Sequence, residues 1–239
     1  MLICAFFCRK DDENILREIG CKDSKTMTPK RRERIFEEIC AHPKLGFTAK
    51  AISPHFISHS AFQKPKYNLN TMSIDTGVEL TQNPKHALID SIFADMIGNN
   101  LVYENELKLN FPKSNIVVQP KADSKYLVVG AASICAKVIR DHILTNWRFP
   151  ENINNRNFGS GYTSDKITID WLNDVIDPQT GFPNIVRYSW STCKKIIANK
   201  APLLIRKSDA TLVKPHTSRK RKNTSSTPEN QKLKFKSID

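Results

Sequence analysis

The chain has 239 residues, enough for one sizeable hydrophobic core or two small ones. Its formal net charge of +13 favours an anionic partner, with nucleic acid ahead of an anionic membrane surface. No apolar run approaches the roughly 20 residues that a membrane-spanning helix needs, so the sequence argues against a transmembrane protein.

The cysteines favour a reducing compartment. The chain has six of them, none in a C-x-x-C pair, and most lie within apolar runs. This pattern predicts free thiols that behave as small hydrophobic side chains, without disulfides or a structural zinc site.

Strands and helices alternate along the predicted chain. In chain order we expect a strand at Leu2–Phe7, a helix capped by Thr28, a strand at 46–52, a helix at 69–80, a strand at 87–94, a helix at 102–109, a strand at Asn115–Gln119 and helices at 124–146, 165–175 and 188–200. This alternation predicts an α/β fold with a mixed sheet flanked by helices, and the last two helices form a C-terminal extension.

The C-terminal tail differs in composition from the rest. From residue 208 onward the chain is charged, rich in serine and threonine, and poor in residues that build a core. We therefore expect one domain over residues 1–207 and a basic, disordered tail over residues 208–239.

Two aspartates lie where strands are predicted to end. Asp95 follows a buried strand, and Asp123 lies between a strand and a long apolar helix. Because ligands gather at strand ends in open α/β sheets, the two carboxylates are candidates for binding Mg²⁺ or Mn²⁺. The simpler alternative is that Asp123 only caps its helix and Asp95 opens a turn.

The stretch KADSKYLVVGAASICAKVIRD, which contains Asp123, resembles a signature of the type 2 ribonuclease H family, and in particular of its eukaryotic catalytic (A) subunits. Five further segments resemble the same family in the same order. They are DSKTMTPKRRERIFEEI, KYNLNTMSIDT, FADMIG, GSGYTSD and GFPNIVRYSWST. Six ordered segments from the start of the chain to about residue 200 are far more specific than one short motif.

The resemblance implies a ribonuclease H-like fold and a function. Members of the family cut the RNA strand of RNA–DNA hybrids, and cut at ribonucleotides embedded in duplex DNA, with Mg²⁺ or Mn²⁺ held by four acidic residues. Asp95 matches the third acid and Asp123 the fourth, so both are expected to be catalytic metal ligands. The resemblance also links this activity to DNA replication and ribonucleotide removal.

Two further positions match residues that bind substrate. Tyr162 matches a tyrosine that packs on the sugar at the RNA–DNA junction, and Lys25 matches a lysine that contacts a phosphate. From the residues alone, Tyr162 is equally an aromatic side chain that packs its own loop, whereas Lys25 is most often a solvated surface charge. Lys137 and Arg140 either line the same groove or form a solvated helix face.

One family segment has no counterpart in the sequence. The first two acids belong to an Asp-Glu-Ala-Gly-Arg-Gly segment on the family's first strand, and MLICAFFC aligns with the strand that follows it. We therefore expect the family's first strand to be absent, and we interpret the chain as a truncated form of the enzyme. The alternative is a genuine short form that binds hybrids without cutting, or serves as a structural subunit.

The resemblance also implies partners and a location. The family's eukaryotic subunit works with two non-catalytic partner subunits, for which the resemblance implies a docking region near residues 188–200. The basic run Arg219–Lys222 suggests a nuclear localisation signal and so a nuclear protein. Its alternative is a solvated basic tail that adds non-specific affinity for nucleic acid.

Overall fold

The computed structural model of the chain describes residues 1–84 and 88–201. The predicted tail at 208–239, its boundary at residue 207, and the basic run at 219–222 lie outside these residues. The strands are β1 (Leu2–Phe7), β2 (Gly46–Ala51), β3 (Ser91–Asp95) and β4 (Asn115–Gln119). The helices are α1 (Glu13–Ile19), α2 (Pro29–Ala41), α3 (Pro54–Phe62), α4 (Leu69–Gln82), α5 (Asn100–Asn110), α6 (Ala122–Lys125), α7 (Leu127–Thr145), α8 (Lys166–Val175) and α9 (Ser191–Lys200).

The strands pair in both directions. β1 is antiparallel to β2, with Leu2 opposite Ala51 and Phe7 opposite Gly46. β3 is parallel to β4, as expected when a helix, here α5, connects them. The prediction of an α/β fold with mixed strand directions is confirmed. In the described residues the pairs form two separate sheets, so β1 and β3 each have one edge without a strand partner.

The helix α2 begins where the sequence predicts. The Thr28 side chain accepts a hydrogen bond from the Arg31 backbone N–H, and Pro29 occupies the first turn. Ile35 and Ile39 are spaced one turn apart and are both buried. The cap therefore fixes the start of the helix and its apolar stripe fixes the orientation against the core.

The largest core lies around α7. This helix packs against β1 and α2 and also contacts β3, so it connects the two strand pairs. Its apolar, Ala-rich sequence suits this central place because small side chains allow close approach from several sides. The buried members of this core are Leu16, Cys21, Met27, Ile35, Ile39, Ala131, Ile134, Cys135 and Val138.

A second core forms the C-terminal helical extension. Trp171 and Leu172 on α8 pack with Cys193 and Ile196 on α9.

Within the residues described, no helix is long and apolar enough to cross a membrane. All six cysteines are free, as the sequence predicts.

The structure corrects the predicted helix at 124–146. Tyr126 is extended, with φ −117° and ψ 124°, and it divides this region into the one-turn helix α6 and the long helix α7. The residue that caps α6 is Lys121 and the one that caps α7 is Tyr126, so the interpretation of Asp123 as a helix cap is wrong. Asp123 lies inside α6 instead.

Other boundaries also differ. The helices α1 and α3 were not predicted, and α9 begins at Ser191 rather than at residue 188. The strand predicted at 87–94 is β3 at Ser91–Asp95, and residue 87 is outside the described part of the chain.

Candidate metal and nucleic-acid site

Asp95 is the last residue of β3, at the end where the parallel pair opens toward α6. Its Oδ1 accepts hydrogen bonds from the backbone N–H of Met96, at 3.1 Å, and from that of Ala122, at 3.2 Å. Ala122 is the first residue of α6 and is fully buried. The hydrogen bond therefore places Asp95 next to the turn that carries Asp123.

Asp123 is buried, with 4% of its surface exposed. Its Oδ2 lies 2.9 Å from Nζ of Lys25, which donates a hydrogen bond to it. Its Oδ1 is buried and has no hydrogen-bond partner among the described residues. Because an unpartnered buried carboxylate oxygen costs free energy, this atom is suited to serve as a ligand for a cation.

The backbone that carries Lys25 is held in place on several sides. Asp23 Oδ1 accepts a hydrogen bond from the Lys25 backbone N–H at 2.9 Å. The hydroxyls of Ser24 and Ser133 lie 2.8 Å apart, and this contact ties the segment to α7. Arg32 Nη1 donates to the Ser24 carbonyl at 3.2 Å and to that of Met27 at 2.7 Å. The segment is therefore fixed while the Lys25 side chain remains 60% exposed.

The charges of three carboxylates act on the Lys25 ammonium. Its hydrogen bond to Asp123 is the main reason that the pKa of Lys25 is raised, and the charges of Asp123, Asp23 and Asp95 raise it further, although partial burial opposes them. Lys25 therefore stays charged and neutralises part of the local negative charge.

The neighbouring face of α7 is cationic. Burial, together with the charges of Lys25, Arg140 and Arg32, lowers the pKa of Lys137. Arg140 is exposed and pairs with Asp141, whereas Lys137 Nζ lies 3.4 Å from Ser133 Oγ. Positive charge therefore lies beside the carboxylates.

Gly130 allows α7 to lie close to both site segments. A Cβ atom at this position would lie 3.2 Å from the carbonyl oxygens of both Lys22 and Asp123. The missing side chain therefore lets the backbone near Lys25 and the backbone of α6 approach the same turn of α7.

The oxygen ligands at the site fit a divalent cation of the Mg²⁺ or Mn²⁺ type. Asp123 Oδ1 is unpartnered, and Asp95 lies on the adjacent strand end. Among residues 1–84 and 88–201 no group of three or more histidine, cysteine, aspartate and glutamate side chains is arranged to hold a metal ion. Two carboxylates still suit Mg²⁺, which keeps several waters and takes its remaining ligands from substrate phosphates.

Tyr162 lies on a different segment from these three residues. Its side chain is 61% exposed, on a loop that Gly159 (φ 63°) and Gly161 (φ 76°) shape. Asp165 caps α8 and closes this loop by accepting hydrogen bonds from Ser160. Within the described chain, no hydrogen bond connects the loop with Asp95, Asp123 or Lys25. The structure thus brings three of the four predicted site residues together and places the fourth on a separate exposed loop.

Sequence reasoning missed the supporting residues Asp23, Ser133 and Gly130. Asp23 lies in the same three-residue segment as Lys25, so the resemblance offered a signal for it. The contact between Ser24 and Ser133 spans 109 positions in the chain, and no local pattern indicates it.

The fold and the site together define an α/β protein with paired carboxylates at the end of a parallel strand pair. The sequence model of the family described as Ribonuclease HII matches residues 1–193. The chain therefore belongs to the ribonuclease HII family. The recognition drawn from the six segments is confirmed.

Known relatives and structures agree with this assignment. The chain is 39% identical over 191 residues to the A subunit of ribonuclease H2 from Rattus norvegicus, covering 78% of this chain and 64% of that protein. It is 34% identical over 197 residues to the protein of the same name from Arabidopsis thaliana, covering 81% of this chain and 67% of that protein. The chain thus spans somewhat less than two thirds of the rat relative's length.

A solved structure has the same fold. The crystal structure of the ribonuclease H2 from Pyrococcus horikoshii OT3 aligns with a TM-score of 0.68 and 26% sequence identity, over 83% of this chain and 98% of that one. The predicted ribonuclease H-like fold is thereby confirmed.

Proposed function

We propose that the protein is an endoribonuclease that cleaves the RNA strand of RNA–DNA hybrids, and cleaves at ribonucleotides embedded in duplex DNA. The observation that carries this proposal is the placement of Asp95 beside the turn of Asp123, whose Oδ1 is buried without a partner, in a chain of the ribonuclease HII family. The site serves DNA replication and the removal of ribonucleotides from DNA.

Asp95 and Asp123 would hold the cation. Asp123 offers its unpartnered Oδ1, and Asp95 approaches from the end of β3. A bound Mg²⁺ or Mn²⁺ would supply an activated water and would stabilise the leaving oxygen of a phosphodiester. The carboxylates contribute by orienting the ion, and the buried environment of Asp123 strengthens their electrostatic attraction for it.

Lys25 and Tyr162 position the substrate. Lys25 neutralises a phosphate, and its contact fixes register without reading sequence. The exposed ring of Tyr162 packs on the sugar at the junction between ribonucleotide and deoxyribonucleotide, where the 2′-hydroxyl distinguishes RNA from DNA. The cationic face around Lys137 adds non-specific attraction for the backbone.

The test is cleavage of a DNA duplex that carries a single ribonucleotide, and of an RNA–DNA hybrid, with Mg²⁺ or Mn²⁺. Wherever the chain cleaves either substrate, we expect Asp123→Asn to lower the rate by more than about 100-fold, since even residues that only support a metal ligand contribute about 10- to 100-fold. Asp170→Asn is the matched control, because Asp170 is exposed on α8 and pairs only with Lys166 among the described residues. Equal rates for the chain and Asp123→Asn overturn the assigned role of Asp123.

A second function is favoured by one observation. The described residues gather two carboxylates at the strand end, and Lys25 already neutralises one of them. With only these two carboxylates, one of them paired with Lys25, the protein would bind hybrids without cutting them. Tight, salt-dependent binding of the hybrid with no cleavage under any of these metals supports this second function.

We also propose that the protein acts in the nucleus, in an assembly with two non-catalytic subunits. The rat and Arabidopsis relatives carry the word subunit in their names. The docking region we assign is residues 188–200, where Tyr188 stacks on the exposed Phe62 with ring centroids 6.1 Å apart. The mass of the purified native complex tests the assembly, and a Tyr188→Ser variant that still recovers the whole complex argues against this region.

A further inference from the structure

We propose that the Lys25 ammonium is a built-in competitor for the cation site, and that a divalent ion which displaces it releases Lys25 to bind a substrate phosphate. This inference rests on the proposed function, because it assigns the order in which the same site is filled. The displacement of Lys25 makes metal binding and nucleic-acid binding strengthen each other.

The first step is the geometry of the ion pair. Lys25 Nζ lies 2.9 Å from Asp123 Oδ2, while the other oxygen of the same carboxylate is buried and unpartnered among the described residues. A divalent ion at Asp123 would sit within a few ångströms of the ammonium, where like charges repel strongly in a partly buried site. The ion and the ammonium therefore weaken each other's binding to the Asp123 carboxylate.

The second step is mobility of the side chain on a fixed backbone. The contact between Ser24 and Ser133 and the hydrogen bonds from Arg32 hold the main chain around Lys25. The side chain is 60% exposed, and among the described residues Asp123 is its only side-chain hydrogen-bond partner. Once that bond is broken, the ammonium is free to turn toward solvent without disturbing the fold.

The third step is where the released ammonium goes. Lys137 on α7 and Lys25 repel each other, so a new anionic partner stabilises the released ammonium. A phosphate of a bound nucleic acid provides that partner, since a lysine binds phosphate as a point charge. By linkage, the cation then tightens nucleic-acid binding and nucleic acid tightens cation binding by the same factor.

The test compares cation binding in three forms of the full chain without nucleic acid. Mn²⁺ is titrated by calorimetry into the wild-type chain, Lys25→Met and Lys125→Met. We expect Lys25→Met to bind Mn²⁺ more tightly by about fivefold or more, which is the lower end of typical coupling between linked sites. Lys125 is the matched control because it lies on α6 with Asp123 but donates to Gln119 instead. Its loss removes the same charge nearby and is expected to change Mn²⁺ binding less.

A second measurement tests the release. The protein is titrated with the hybrid, once in EDTA and once in Ca²⁺. We expect Ca²⁺ to tighten hybrid binding by the wild-type chain and to tighten it less in Lys25→Met. If Asp123→Asn abolishes Mn²⁺ binding but Lys25→Met leaves it unchanged or weaker, the proposed competition between Lys25 and the cation is overturned. The cation site at Asp123 then still stands. An absence of Mn²⁺ binding in every form overturns both this inference and the proposed metal-dependent function.

Discussion

The backbone N–H of Ala122 donates a hydrogen bond to Oδ1 of Asp95 over 3.2 Å, and this contact holds the end of β3 against α6. Asp95 thus has two separable roles. Its oxygen organises the backbone of the site, and its charge is available to a cation.

Asp95→Asn and Asp95→Ala separate these roles. Asparagine keeps an acceptor for the N–H groups of Met96 and Ala122, so we expect its free energy of unfolding to stay within about 0.5 kcal/mol of wild type. Alanine removes the acceptor and is expected to lower the free energy of unfolding by about 1 kcal/mol. Both variants are expected to weaken Mn²⁺ binding. Urea unfolding measures the change in stability, and calorimetry measures the change in Mn²⁺ binding. If Asp95→Asn is as unstable as Asp95→Ala, the two roles of Asp95 are not separable in this way.

Tyr162 is exposed, so substitutions there test substrate binding without disturbing the core. We expect Tyr162→Ala to weaken binding to a duplex with one ribonucleotide by about 1–3 kcal/mol, taking the loss of a base stacked on an aromatic ring as the guide to the loss of ring–sugar packing. Tyr162→Phe keeps the ring and is expected to retain most of that affinity. Fluorescence anisotropy with the ribonucleotide duplex and a plain DNA duplex checks both. An equal loss on the two duplexes shows that the ring does not sense the junction.

The loop that carries Tyr162 is expected to loosen in acid. Hydrogen bonds from the Ser160 backbone N–H, then from the Ser160 hydroxyl and the Ile167 N–H, lower the pKa of Asp165 below its ordinary value of 3.8. Because the folded pKa is the lower one, the stabilisation is complete above pH 3.8 and is lost as the pH falls through the folded pKa.

Asp165→Asn provides the measurement for this pH dependence. The urea midpoint of wild type is expected to exceed that of Asp165→Asn near neutral pH, and the difference is expected to shrink below pH 3.8. Asp170→Asn, on the exposed face of the same helix, is the control. A difference that grows as the solution becomes more acidic reverses the sign and rejects the assignment.

Elements with strong local patterns were predictable from the sequence. β1 and β4 lie where apolar runs predict strands, and Thr28 caps α2 because its hydroxyl and the following proline act within one turn. The position of Asp95 at a strand end follows from the same local signal. For these elements, interactions between residues close together in the sequence are enough to predict the structure.

The break at Tyr126 and the contact between Lys25 and Asp123 depend on tertiary structure. The Ala-rich stretch is helical in pattern on both sides of Tyr126, so nothing local marks the break, and Lys121 adopts a positive φ of 55° that its side chain does not favour. Lys25 and Asp123 are 98 positions apart. Their contact arises only when α7 brings the two segments together at Gly130.

The packing of α4 against α5 depends on Gly77 and Tyr103. A Cβ atom at Gly77 would overlap the Tyr103 hydroxyl and lie 3.3 Å from its Cζ, and Tyr103 is buried. We expect Gly77→Ala to lower the free energy of unfolding by about 1–3 kcal/mol, the usual cost of overpacking a core. In a Tyr103→Phe background the hydroxyl is absent, so the same substitution is expected to cost less. Urea unfolding of the four proteins gives the interaction energy. Equal costs in both backgrounds mean that the hydroxyl is not the group that requires glycine, because a clash with this atom must disappear when the atom is removed.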